Sequence, residues 1–326
     1  MNLLCIGGWF SGNSAILDCI DSHENIKYLK SDFDILRQTN GIMDLIIEKE
    51  LKKKEEIIKI NIKFCTKLLF KEIKFILGKY TKYLFKSKEF HRDRQYKKRY
   101  NDNINFNISL IYKFAVYFIR CHFFEMTEDE QVAFWKNWLA ISSLNEKDYV
   151  VYCNPIYYDN FEPEHKELWP KLFSPYKIIL VHRNPLDQFY DIYMKEGMSD
   201  TSVARFFKGS EELEPIQRFH YIVKKIHEAR LNLINTYSKD ELLLISFEDF
   251  VENSHVHLNE IVGFLGLSNC SFSNSERFDA EKSCRNIGIW KSNEHVKDLI
   301  IKNSEIVDEL MIMRAELIDA YNGVVV

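Results

Sequence analysis

Three short segments place anion-binding groups beside glycine or proline. The first is LLCIGGWFSGNSAILDCI, residues 3–20: an apolar run, a turn holding Gly7, Gly8 and Gly12, then helix-like apolar spacing. Glycine permits positive φ and close approach of a ligand to the backbone. Ser11, Asn13 and Ser14 can cap a helix starting near Ala15. Alternatively, the N–H groups there, together with the helix dipole, attract an anion. The run GGWFSGNS is neither GxxxxGK[ST] nor GxGxxG, which excludes a Walker A loop with its lysine. The second segment is KIILVHRNPLDQFYDIY, 177–193, in which Arg183 ends a strand and Asn184-Pro185 opens a helix. Proline is tolerated at a first helical position, and an arginine at a strand's end can grip a phosphate with two parallel hydrogen bonds. The competing reading pairs Arg183 with Asp187, four residues on. The third is SCRNIGIWKS, 283–292, where Arg285 and Lys291 flank Gly288 and Trp290. That mixture suits the phosphate and base of a nucleotide, and it also suits an ordinary surface loop.

These segments need elements to hold them. Short apolar runs at 2–6, 26–29, 149–153, 177–182 and 241–246 read as buried parallel strands. Helical spacing is expected over 13–22, 41–52, 186–196, 215–237 and 255–266, the last ending at Gly266. Strands alternating with helices predict an α/β domain of three layers around a central parallel sheet. In such sheets ligands lie beyond the carboxyl ends of the strands, where each of the three segments falls. The whole of 1–326 reads as a single domain with a basic helical insertion at about 48–125. With 46% hydrophobic residues, 11 Gly and 6 Pro, the chain has the composition of a packed globular protein. A net charge of −4 predicts no nucleic-acid partner. Seven scattered cysteines without a CxxC pair argue for reduced thiols and against a zinc site. The start has no basic n-region and no run is long and apolar enough to span a membrane, so a cytoplasmic protein is expected. Residues 48–100 differ in kind, with 18 Lys and Arg against seven Asp and Glu. Lys59, Lys63, Lys67 and Lys71 form one row along a helix. Such a helix can lie on an anionic membrane surface, or it can pack on the core with its lysines in water.

Taken together, the three segments resemble the PAPS-dependent sulfotransferases, in particular the bacterial carbohydrate type. GGWFSGNSAILDCI looks like that family's 5′-phosphosulfate loop and VHRNPLDQFYDIY like its 3′-phosphate segment. LLLISFEDFVENSHVHLNEIVGFLGL, 242–267, resembles the family's late strand–helix stretch, and SCRNIGIWKS its late basic loop. The resemblance implies a P-loop-like fold and PAPS as co-substrate, leaving PAP. It implies that Gly8, Ser11, Gly12, Asn13 and Ser14 hold the 5′ end, and that Arg183 and Arg285, with Asp191, Gly288 and Trp290, lie at the 3′ end. It further implies a carboxylate base after the second strand, Asp32 first and Asp34 second. Weaker candidates for that base are His182 and His122.

Two positions depart from the family's pattern. Phe10 stands where the loop usually has a cation, and Asp191 stands where a serine follows the arginine by eight residues. Asp191 is therefore expected to turn away from the site or to pair with a lysine, and the missing cation to come from Lys30 or Arg37. The reading is sulfuryl transfer from PAPS to a hydroxyl of a carbohydrate or glycolipid acceptor, with the insertion and its tyrosines forming the acceptor site. The alternatives are a catalytically impaired PAP-binding scaffold or a P-loop-type kinase, the latter opposed by the absence of a loop lysine.

Overall fold

The computed structural model describes residues 1–7, 10–29, 41–50, 52–63, 66–67, 70, 109–110, 112–120, 126–141, 149–155, 163–196, 212–267 and 278–323. Strands β1 (Asn2–Ile6), β2 (Ile26–Leu29), β3 (Tyr149–Cys153), β4 (Tyr176–His182) and β5 (Leu242–Ser246) each fall within one residue of an expected run. The helices are α1 (Asn13–Ile20), α2 (Ile42–Ile47), α3 (Glu128–Ile141), α4 (Pro163–Phe173), α5 (Pro185–Glu196) and α6 (Pro215–Thr236). After β5 come α7 (Phe247–Glu252), α8 (Ser254–Leu265), α9 (Ala280–Cys284), α10 (Glu294–Lys302) and α11 (Ser304–Asn322). The expected α/β class is what the chain adopts. Two compact units divide it: Leu3–Ile26 with Tyr176–Val326 and Met1, and Lys27–Pro175 with Asn2.

In the first unit β1, β4 and β5 lie side by side in that order. Strand β4 pairs with β5 in parallel, from Ile178 opposite Leu242 to His182 opposite Ser246. Leu3, Leu4, Cys5 and Ile6 are buried, as are Ile178, Ile179, Leu180 and Val181. Unbroken apolar runs of this kind are the mark of a strand covered on both faces. Burying each Leu or Ile contributes about 1.5–3 kcal/mol. Helix α6 opens with Pro215 at its first turn, and Gln217 Oε1 accepts from Glu214 N at 3.2 Å, one half of a capping box. Helix α8 closes as expected on Gly266, at φ 68°, with Leu267 N bonded to Val262 O at 3.0 Å. An apolar cluster of Leu186, Phe189, Ile216, Phe219, Val296 and Leu310 joins α5, α6, α10 and α11.

The second unit has β2 beside β3 and packs α2, α3 and α4 on one another. Asp44 of α2 meets His165 of α4 at 2.7 Å. The helix expected over 41–52 ends at Ile47, because Glu48 turns extended, at ψ 125°. Helical backbone resumes at 52–63, where Ile57, Ile58 and Asn61 are buried while Lys59 and Lys63 are exposed. Helix 112–120 sets the tilted rings of Phe114 and Tyr117 against Trp135, a fully buried residue of α3. A cavity of about 710 Å³ is lined by Tyr112, Lys113, Arg120, Glu130 and Phe134. No described helix is long and apolar enough to cross a membrane.

Candidate functional site

Strand β1 delivers the opening loop at its carboxyl end, and the loop is shaped from inside. Ser11 Oγ donates to Asn13 Oδ1 at 2.7 Å, with both residues buried. That pair closes over Gly7, where an added Cβ would lie 1.8 Å from Asn13 Oδ1 and 2.2 Å from Ser11 Oγ. Gly12 precedes α1 at φ 94°, and an added Cβ there would lie 2.1 Å from the Phe247 ring. Only glycine meets both demands. Because its N-cap residue is Gly12, α1 has no side-chain cap. The first-turn N–H groups and the dipole of a helix end without such a cap are suited to an anion. Ser14 is exposed in that first turn. Phe10, at the place of the expected cation, takes positive φ (53°) and packs against the apolar cluster of α5 and α6. It is an anchor for the loop.

Strand β4 delivers Arg183, whose side chain is 4% exposed. Its Nη1 donates to Phe10 O at 3.0 Å and to Asp191 Oδ2 at 2.6 Å, and its Nη2 donates to Asn286 O at 2.8 Å. The Phe247 ring lies 5.0 Å from the guanidinium carbon, within cation–π range. One guanidinium therefore ties the opening loop, α5 and the late loop together, and the three segments that look separate in sequence meet in one place. This corrects two expectations. Asp191 neither turns away nor pairs with a lysine, because two turns of α5 bring its carboxylate onto Arg183. Asp187 is not the partner of Arg183 but the anchor of the late loop, accepting from Gly288 N at 2.9 Å and Trp290 N at 3.4 Å. Burial raises the pKa of Asp187, and those two N–H bonds oppose the rise.

Gly288 makes its turn at φ 67°. Trp290 packs against the apolar cluster, and Lys291 Nζ lies 5.5 Å from its ring centre. Arg285 is exposed, 3.9 Å from Glu281. Asp32, Asp34, Gly8, Lys30, Arg37, Lys71 and His122 lie outside the described residues, as do Tyr80, Tyr83, Phe85, Tyr96 and Tyr100 of the expected acceptor region. His182 is buried, and desolvation, then the charges of Arg314 and Arg230, push it down to about 3, so its ring is neutral at neutral pH.

Two arginines that the sequence pattern did not single out complete the frame. Arg230, on the buried face of α6, donates through Nη2 to Gly7 O. Arg314 of α11 donates to Glu248 Oε2 at 2.7 Å, and Glu248 Oε1 accepts from Asn184 N at 2.7 Å. The available signal was an arginine inside an apolar stripe, between Ile226 and Leu233 for Arg230 and between Leu310 and Leu317 for Arg314. Phe10 O, Asp191 and Asn286 O already occupy three of the five N–H donors of Arg183.

No family model matches the chain, and no curated protein matches it. Among solved structures, it is similar to the sulfotransferase domain of the olefin synthase of Synechococcus PCC 7002. The identity there is 13%, over 85% of this chain and 79% of that one, with a TM-score of 0.43. It is also similar to a sulfotransferase domain from the curacin biosynthetic pathway, at 12% identity over 93% of this chain and 97% of that one, with a TM-score of 0.44.

Proposed function

We propose that the chain transfers a sulfuryl group from a nucleotide phosphosulfate, PAPS or its 3′-hydroxyl counterpart, to a hydroxyl of a carbohydrate or glycolipid. The observation that carries this reading is the convergence on Arg183, just after β4, of Phe10 O from the loop after β1 and Asn286 O from the late loop. When bound, the donor supplies a sulfur centre open to attack by a hydroxyl. The N–H groups at the start of α1 hold negative charge on the phosphosulfate, a preorganised arrangement of the type that contributes most to barrier lowering. Arg285 and Lys291 are the late-loop cations available to follow charge onto the leaving phosphate. Asp32, or second Asp34, takes the proton of the acceptor hydroxyl. The cavity beside Tyr112 and Phe134 supports the acceptor reading, since an aromatic wall with Lys113 and Glu130 suits a sugar.

A second reading, an impaired nucleotide-binding scaffold, is favoured by the inward Ser11–Asn13 pair and the apolar Phe10. Incubation with ³⁵S-labelled phosphosulfate donors and a glycan panel separates the two. Label moving to a glycan is the expected result. Nucleotide binding with no label moving to any acceptor leaves the scaffold.

A further inference from the structure

We propose that Asp191 is a built-in counter-anion of the donor site, so that the site takes a nucleotide whose 3′ position is a hydroxyl and discriminates against a 3′-phosphate. This rests on the nucleotide reading above. The resemblance implies a phosphate at Arg183, and a carboxylate from the same chain already sits there at 2.6 Å. Both side chains are enclosed, 4% and 9% exposed. Breaking such a pair leaves an uncompensated buried charge, and adding a phosphate beside it sets two anions side by side.

Three of the five N–H donors of Arg183 already serve acceptors of the chain. Nη1 serves Phe10 O as well as Asp191, Nη2 serves Asn286 O, and Nε is buried with no partner. The flat face of the guanidinium lies against Phe247. A neutral 3′-hydroxyl asks nothing of Arg183 and leaves the pair intact.

Calorimetry with 5′-AMP and with 3′,5′-ADP on the unaltered chain tests this directly. The expected result is that 3′,5′-ADP binds no more tightly than 5′-AMP. In Asp191→Ser the preference should move toward 3′,5′-ADP by on the order of tenfold, because a charge-assisted hydrogen bond to the phosphate forms where a repulsion stood. Asp191→Asn, which keeps an acceptor for Arg183, should move it the same way by less and guards against a serine variant that does not fold. Overturning results are an unaltered chain that binds 3′,5′-ADP tenfold or more above 5′-AMP, or variants whose preference does not move. Binding of neither nucleotide by any of the three proteins overturns the nucleotide reading itself, and this inference with it.

Discussion

The opening loop and the late loop are both fastened to the stretch that joins β4 to α5, yet in opposite senses. The opening loop gives a carbonyl, Phe10 O, to Arg183, and the start of α1 has no side-chain cap. The late loop gives Asn286 O to the same arginine, but it also gives two N–H groups, of Gly288 and Trp290, to Asp187. One loop is held by its acceptors, while the other uses both an acceptor and donors in being held. On the proposed reading, the opening loop receives the anion and the late loop contributes its side chains, Arg285 and Lys291.

The sharpest way to break this comparison is Arg183→Ala, which frees both loops at once and strands Asp191. Removing one partner of a buried pair costs about 3–5 kcal/mol. Urea unfolding should show that loss, and one below about 1 kcal/mol would mean that the guanidinium is not the shared fastening. Gly12→Ala acts on the opening loop alone. The positive φ and the clash with Phe247 together should cost about 2 kcal/mol. In a Phe247→Ala background the cost should shrink, because the clash is gone and only the backbone strain remains. Asp187→Asn acts on the late loop alone and should cost about 1 kcal/mol, one hydrogen bond, since an amide offers only one acceptor to two N–H groups. Because the carboxyl of Asp187 holds its proton more tightly in the folded chain, its contribution is greatest below the ordinary value of 3.8 and is lost as pH rises through the raised folded value. Unfolding of the parent across that range should show this slope, and the asparagine variant should lack it.

All five strands were legible because buried parallel strands write themselves as uninterrupted apolar runs, such as LLCI and IILV. So were the end of α8 at Gly266 and the proline start of α5. The pairing of Arg183 with Asp191 was not, since it depends on how a strand end, a turn and two turns of helix are aimed in space. Helix α11 was missed although Ile306, Leu310, Met313 and Leu317 recur at three- and four-residue spacing, so the signal was present and unread. For Arg230 and Arg314 the local sequence shows only a charge within an apolar stripe. Their targets, Gly7 O and Glu248, are supplied by segments remote in the chain.

If the chain takes the proposed nucleotide donor, the internal neutralisation of Arg183 also bears on how that donor arrives. An anion in solution meets an ion pair, whose field falls off far faster with distance than that of a lone cation. What long-range pull the late loop exerts comes from exposed Arg285 and Lys291, and salt screens exposed charges readily. On the proposed reading, capture at this site is governed by ordinary diffusion and fit more than by electrostatic steering, and its association rate should change little between dilute and concentrated buffer.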